Sequence, residues 1–395
     1  MEPLVSIVIP CYNEENSIDH LLTSLTRQNI CVEQLEIILV NDASTDSTYE
    51  KMLEWEKHYP DSILVINCEE HMGEAKARSL GMQYARGAYL SFTAETAGHH
   101  AFIRRHEKIS RNFSMNVCFA TNRKYVPVSM VMLYSLFCNN PDADIHVYVF
   151  HCELTEEDHN AFSLLAASWS QQVTLVDVPP QLFEKLPTTD CWSKETYFRL
   201  LMPALLPSNI ERFLYLDVDV IINKSLREFY MMNFSGNDCI VCEDILMNRV
   251  HKSYYLENFE DLKDRSFTYF NAGIMLWNLR QVRENYHITT YIQTLIKYMP
   301  VLECLDQDIL NVVHCGKTLT VPWQQYNLQI SIAAQKHFPV DTVRSMSHII
   351  HFCGPKPWDP NVNFEEYYHI KDSNFTELAQ IWKNYEYALE QEYHL

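Results

Sequence analysis

Over residues 4–92 the apolar positions switch repeatedly between short continuous runs and the three-and-four spacing of an amphipathic helix. Residues 4–10, 35–40, 63–67 and 88–92 are short, mostly apolar runs and predict strands. Residues 14–26 carry Ile18, Leu21, Leu22 and Leu25 on one face and predict a helix, as do residues 74–86. Strands alternating with helices predict a parallel sheet of the α/β class. Residues 96–112 break this rhythm. They hold Arg104, Arg105, Lys108 and Arg111, a charge run that predicts a solvated linker helix.

A second α/β pattern opens at Asn116. Residues 116–120, 145–150, 173–176 and 212–216 predict strands, and residues 128–137 and 155–169 predict helices, the latter with Thr155 as N-cap and Asp158 in its first turn. Near the C-terminus, Asn374-Phe375-Thr376-Glu377 reads as a helix start. Leu378, Ile381, Trp382, Tyr385 and Leu389 then line one face, and Glu377, Glu386, Glu390 and Glu392 stand against Lys383 alone. That balance favours a packing helix, with a partner interface as the second reading. The predicted organisation is an N-terminal unit at 1–95, a linker at 96–113, a larger α/β domain at 114–360 and a helical tail at 361–395.

Composition narrows the class. A chain of 395 residues with 47% hydrophobic and 21% charged residues is ordinary for a folded globular protein. Its formal charge of −20 argues against nucleic acid as a partner and against docking on an anionic membrane by charge alone. No apolar run reaches the roughly 18–20 residues of a transmembrane segment. Met1-Glu2-Pro3-Leu4 lacks the basic segment of a signal peptide. Twelve cysteines, most of them in apolar runs such as those holding Cys118, Cys239 and Cys242, suit reduced core thiols, so a cytoplasmic location is expected.

Candidate chemistry concentrates where apolar runs end in polar ligands. Phe213-Leu214-Tyr215-Leu216 stops at Asp217-Val218-Asp219, which would deliver two carboxylates to the carboxyl end of a sheet, where open α/β folds bind ligands. Such carboxylates hold Mg²⁺ or Mn²⁺ on substrate phosphates. Two further Asp-x-Asp pairs differ in context. Asp142 and Asp144 lie in a polar turn before a strand, so a solvated role is expected. Asp306-Gln307-Asp308 precedes Ile309-Leu310-Asn311-Val312-Val313, where either helix capping or function would fit. Ile349-Ile350-His351 is a second apolar run ending in a ligand type, followed by Gly354-Pro355-Lys356. His351 reads either as a third ligand or as a structural histidine. As a ligand it favours Mn²⁺ over Mg²⁺, because imidazole suits the softer ion. Lys356 could neutralise a phosphate.

Two family resemblances sit on these motifs. Val8-Ile9-Pro10-Cys11-Tyr12-Asn13-Glu14, Val40-Asn41-Asp42-Ala43-Ser44-Thr45-Asp46 and the stretch from Gly73 through Ala77-Arg78 to Arg86-Gly87 resemble the opening half of a family 2 glycosyltransferase. The resemblance implies base contacts at Glu14 and Asp42. It covers residues 1–92 and stops where Thr93-Ala94-Glu95-Thr96 replaces the family's aspartate-rich metal motif, which implies a catalytically inactive remnant.

Residues 116–358 resemble a family 8 retaining glycosyltransferase, the group of glycogenin and bacterial lipopolysaccharide galactosyl- and glucosyltransferases. Six motifs occur in the expected order: Val117-Cys118-Phe119-Ala120-Thr121-Asn122, Thr196-Tyr197-Phe198-Arg199-Leu200, Tyr215 to Asp219, Phe270-Asn271-Ala272-Gly273, Asp306-Gln307-Asp308 and His351 to Trp358. The resemblance implies a GT-A type, Rossmann-like fold, preceded by a partial second GT-A-like unit. It implies Mn²⁺ at Asp217, Asp219 and His351, with Mg²⁺ as the alternative. It implies a UDP-sugar donor held by Ala120, Thr121, Asn122, Tyr125, Arg199, Asp217, Val218, Asp219, Asn271, Ala272, Gly273, Asp306, Gln307, His351, Gly354 and Lys356. Gln307, Asp306 and Asn271 would lie at the reacting carbon. Two departures stand out: Asn122 and Arg123 replace residues often acidic in the family, and the closing motif is one residue short between Gly354 and Lys356.

The implied reaction is retaining transfer of a hexose, galactose or glucose, from a UDP-hexose donor to a glycan, glycolipid or glycoprotein acceptor. Gln307 is then a candidate weak nucleophile, with front-side attack by the acceptor the easier route. The alternatives are a bifunctional family 2 plus family 8 enzyme and a non-catalytic sugar-nucleotide-binding scaffold. Peripheral membrane contact and a homo-oligomer are both compatible with the sequence.

Overall fold

The structure is a computed structural model that describes residues 3, 5–26, 35–87, 89–92, 102–105, 113–179, 194–262, 267–359 and 373–393. The chain divides into two compact units, Met1–Ser110 and Arg111–Leu395.

The first unit is a sheet of β1 (Val5–Cys11), β2 (Leu35–Asn41), β3 (Ile63–Asn67), β4 (Tyr89–Phe92) and β5 (Phe102–Arg105), ordered β3-β2-β1-β4-β5. The first four strands are parallel and β5 is antiparallel to β4. Every residue of β2 is buried, as expected of a mostly apolar central parallel strand. Its one charge, Glu36, accepts hydrogen bonds from Ser6 Oγ at 2.6 Å, Arg86 N at 2.7 Å and Arg86 Nε at 2.6 Å. A helix at Thr48–His58 was not singled out by periodicity, because it is mostly polar and buries only Thr48 and Met52. The helix expected at 74–86 ends earlier, at Met82. The expected linker helix is corrected within residues 102–105, which form a strand instead. Backbone pairing to β4 decides that segment, and a Phe-Ile-Arg-Arg sequence suits a sheet edge, where charge discourages further pairing.

The second unit contains β6 (Phe113–Ala120), β7 (Ala143–His151), β8 (Gln172–Asp177), β9 (Arg212–Leu216), β10 (Val220–Ile222), β11 (Cys239–Glu243), β12 (Phe270–Asn278), β13 (Thr318–Val321), β14 (Leu328–Gln329) and β15 (Ile349–His351). Seven of these form one sheet, ordered β13-β11-β12-β9-β6-β7-β8, and three form a smaller one, β10-β15-β14. β9 lies parallel to β6 and antiparallel to β12. The chain passes from the large sheet to the small one across Asp217-Val218-Asp219, so the acidic pair sits at the junction of the two.

Two helices back this junction. Val126–Asn139 is buried along almost its whole length, which fits its nearly all-round apolar sequence. Phe375–Tyr393 packs on it and on the helices Ile330–Gln335 and Val340–Met346, burying Leu378, Ile381, Trp382, Tyr385 and Leu389, with Tyr134 Oη donating to Glu392 at 2.9 Å and Asn139 Nδ2 donating to the Tyr385 hydroxyl at 2.9 Å. The tail is thus a packing helix over residues 375–393. Thr155 caps Glu156–Ser168 in a reciprocal capping box with Asp158.

Candidate active site

Strand pairing over long sequence distances assembles the site. The Asp217 N–H donates to the Gly273 carbonyl at 2.7 Å, and the Phe352 N–H donates to the Asp219 carbonyl at 2.9 Å. β10 and β15 pair with Val220 opposite His351, which sets the imidazole beside the acidic pair. One ligand atom from each of Asp217, Asp219 and His351 lies within 4.8 Å of the others. His351 Nε2 is 3.3 Å from Asp219 Oδ1 and 3.9 Å from Asp217 Oδ2.

The opposite oxygen of each carboxylate is committed to a cation. Arg199 Nη2 is 3.0 Å from Asp217 Oδ1, and Lys356 Nζ is 2.5 Å from Asp219 Oδ2. Each acid is therefore anchored on one side and presents one oxygen toward the imidazole. Burial works against the Asp219 charge, but Lys356, joined by His351 when its ring is protonated, outweighs it and holds the carboxyl well below the usual carboxylate range. Burial likewise opposes the Arg199 charge, and Asp217 and Asp306 more than restore it.

Arg199 ties the site together. It stands in the short helix Lys194–Leu200, with its guanidinium over the Tyr215 ring at 4.5 Å. Its Nη1 donates to the Ala272 carbonyl at 2.7 Å, and its Nε lies 2.7 Å from Asp306 Oδ2, out of hydrogen-bonding alignment. Tyr215 Oη donates to Asp217 Oδ1 at 2.8 Å.

Asp306, Gln307 and Asp308 do three different things. Burial, opposed by Arg199, pushes the Asp306 carboxyl up to about 7. Gln307 Oε1 accepts from the Ala272 N–H at 2.8 Å. Asp308 accepts from the backbone N–H groups of Glu303 at 2.8 Å and Cys304 at 2.9 Å, so it braces the preceding loop. Helix capping does not explain the motif: the N-cap position is Leu305, which makes no side-chain cap and has φ of +45°, a strained value for leucine.

Asn271 is a hub. Its Oδ1 accepts from the Gly273 N–H at 3.0 Å and from Asn327 Nδ2 at 2.9 Å, and its Nδ2 donates to Asp244 Oδ2 at 3.0 Å. Those bonds leave one N–H for another partner. Asn327 in turn meets His351 Nδ1 at 2.9 Å. Asn327 and Asp244 were not found by sequence reasoning. Neither lies in an apolar run that ends in a ligand, and only the fold brings them to the site.

The remaining expected residues gather at the end of β6. The Thr121 N–H donates to the Phe150 carbonyl at 3.0 Å, and its hydroxyl meets Ser129 Oγ at 2.9 Å. Asn122 caps the turn Arg123–Tyr125 and donates from Nδ2 to Glu195 at 3.4 Å, which links this end to the helix that carries Arg199. Tyr125 closes that turn, its N–H donating to Asn122 Oδ1 at 3.2 Å. Gly354 turns the closing loop with φ of +89°. Asp142, by contrast, sits on the surface with Arg227 at 3.2 Å.

Among the described residues no helix is long and apolar enough to cross a membrane. The glycosyl transferase family 8 model matches residues 116–361, and the glycosyl transferase family 2 model matches residues 6–93. A putative glycosyltransferase of Haemophilus influenzae is 28% identical over 243 residues, 61% of this chain and 72% of its own. The lipopolysaccharide 1,3-galactosyltransferase of Salmonella typhimurium is 27% identical over 251 residues, 62% of this chain and 72% of its own. The crystal structure of galactosyltransferase LgtC, solved with donor and acceptor sugar analogs, shares the fold with a TM-score of 0.54 at 24% identity, covering 69% of this chain and 100% of that one. The architecture is thus an α/β GT-A-like fold. The N-terminal unit carries a family 2-like fragment, and the chain, matched over more than half its length, belongs to glycosyl transferase family 8.

Proposed function

We propose that this glycosyltransferase moves a hexose, galactose or glucose, from a UDP-sugar to a glycan, glycolipid or glycoprotein acceptor with retention of configuration. Residues 114–360 carry the reaction, residues 1–95 are catalytically inactive, and Asp217, Asp219 and His351 hold Mn²⁺. The observation that carries this reading is the pair of carboxylate oxygens facing one imidazole nitrogen, with the opposite oxygens already taken by Arg199 and Lys356. Two oxygens and one imidazole nitrogen suit Mn²⁺, with Mg²⁺ as the alternative. When bound, the cation supplies Lewis-acid stabilisation of the charge that grows on the leaving diphosphate.

The chain's own residues supply the remainder. Lys356 is the cation placed to meet the diphosphate. Asn271 retains an N–H, and Asp306 its carboxyl, for the sugar hydroxyls. Gln307 is a poor nucleophile as an amide, and its Oε1 is held by the Ala272 N–H at 2.8 Å. Front-side attack by the acceptor therefore fits better than a covalent glycosyl intermediate on Gln307. The activity of the Salmonella typhimurium relative supports galactose as the first donor to test.

Released UDP, measured with UDP-Gal, UDP-Glc and UDP-GlcNAc, identifies the donor. Asp217→Asn should abolish turnover while the circular dichroism spectrum stays unchanged. Full turnover in that variant would overturn the metal role. Transfer that survives in the Asp217→Ala, His351→Ala double variant would locate a second active centre elsewhere in the chain.

A further inference from the structure

We propose that Asn327 is a positioning residue that presets His351 to bind a cation through Nε2, and that Asp244 sets the direction of the hydrogen-bond relay that holds it. The role rests on the metal reading above; the geometry does not.

Donor and acceptor logic fixes the relay from its ends. An ionised carboxylate only accepts hydrogen bonds, and a backbone N–H only donates. Asp244 Oδ1 accepts from the Met247 N–H at 3.1 Å, and its Oδ2 lies 3.0 Å from Asn271. The Asn271 atom facing Asp244 must therefore be the amide nitrogen. The Gly273 N–H, 3.0 Å from the other end of Asn271, independently requires an oxygen there. That oxygen also lies 2.9 Å from Asn327, which must turn its own nitrogen toward Asn271. The Asn327 oxygen is then left facing His351 Nδ1 at 2.9 Å, so Nδ1 carries the hydrogen. Of the two neutral tautomers of His351, only the one with hydrogen on Nδ1 satisfies every bond of the relay, and it holds against Asp219 Oδ1, 3.3 Å from Nε2, which would accept hydrogen there when no cation is bound. Its Nε2 lone pair points into the space shared with Asp217 and Asp219.

Burial makes the relay decisive. Asp244, Asn271, Asn327 and His351 are 5%, 8%, 0% and 2% exposed, so bulk water cannot replace a lost partner. In the other tautomer the Nδ1 lone pair would face the Asn327 carbonyl oxygen. A buried polar group left unmet in that way disfavours the tautomer. Partners of this type orient a ligating histidine and set which nitrogen is available.

The test uses the full-length protein. Nitrogen-15 histidine spectra of metal-free protein, with the His351 signals assigned by their loss in His351→Gln, should show hydrogen on Nδ1 in the neutral ring. Mn²⁺ binding, read by electron paramagnetic resonance of the free ion, should weaken by about 10–100-fold in Asn327→Leu, with the tautomer signals shifting toward Nε2–H. Asn327→Asp keeps an acceptor facing Nδ1 but loses the donor to Asn271, so it should keep hydrogen on Nδ1 and bind Mn²⁺ more tightly than Asn327→Leu does. Wild-type spectra with hydrogen on Nε2 in the neutral ring would overturn the inference, and so would wild-type Mn²⁺ affinity in Asn327→Leu. The wild-type spectrum needs no variant, so a substitution that unfolds the protein does not block the decision. Wild-type protein that binds no Mn²⁺ would overturn the metal reading, and with it the role assigned to Asn327, even if hydrogen is found on Nδ1.

Discussion

Gly273 leaves the space that His351 occupies: a Cβ at position 273 would lie 2.5 Å from His351 Cε1 and 2.6 Å from Asp217 Oδ2. Neither atom can yield, because His351 is held by Asn327 and Asp217 by Arg199. Gly273→Ala should therefore lower kcat/KM by a factor of about 100 or more, about 2.7 kcal/mol of lost transition-state stabilisation. Donor kinetics and Mn²⁺ titration of the variant check this, and a thermal melt close to wild type separates it from general unfolding.

Lys356 and a bound cation would share the Asp219 carboxylate. Lys356→Met should leave Mn²⁺ affinity in the absence of nucleotide no weaker than wild type, because a competing ammonium has gone. It should still lower kcat/KM for the donor by about 100-fold, about 2.7 kcal/mol. Mn²⁺ titration with and without UDP, together with initial rates, separates the two effects.

Asp306 makes stability depend on pH with a definite sign. Its folded-state value of about 7 stands above the ordinary aspartate value of 3.8, so between these limits the folded state binds more protons than the unfolded one. Wild-type stability contributed by this group is fully present below the lower value and falls as pH rises toward the upper one. Asp306→Asn removes the dependence. Its stability relative to wild type should rise between pH 5 and pH 7, by at most about 1.4 kcal/mol per pH unit. Urea unfolding of both proteins across that range measures it.

Trp382 joins the last helix to the closing loop. Its ring is fully buried, 5.5 Å from Phe352 and 4.6 Å from Trp358. Trp382→Ala should cost about 3–5 kcal/mol in urea unfolding. The variant should also raise the donor KM, because the loop that carries Lys356 loses its backing.

Much of the site was legible along the chain because it lies where apolar strands end. The runs before Asp217 and before His351 are local patterns, and a strand that stops at a ligand signals its position without any knowledge of its neighbours. Separating Asp306 from Asp308 was not legible, since both stand in the first turn of the same helix. Only the fold shows one facing Arg199 and the other bracing the loop at Glu303 and Cys304. The segment at residues 102–105 was misread because charge suggested solvent, while the sheet edge beside β4 supplied backbone partners.

Sequence by itself determined the alternation of strands and helices, the two family-like segments and the acidic pair at the end of β9. Tertiary structure decided which of seventeen histidines meets that pair, how Arg199 and Lys356 divide its oxygens, and that Asn327 and Asp244 stand behind it. The reason is physical. Hydrophobic period reports which face of a single element is buried, whereas the meeting of Val220 with His351 depends on strand register across more than a hundred residues.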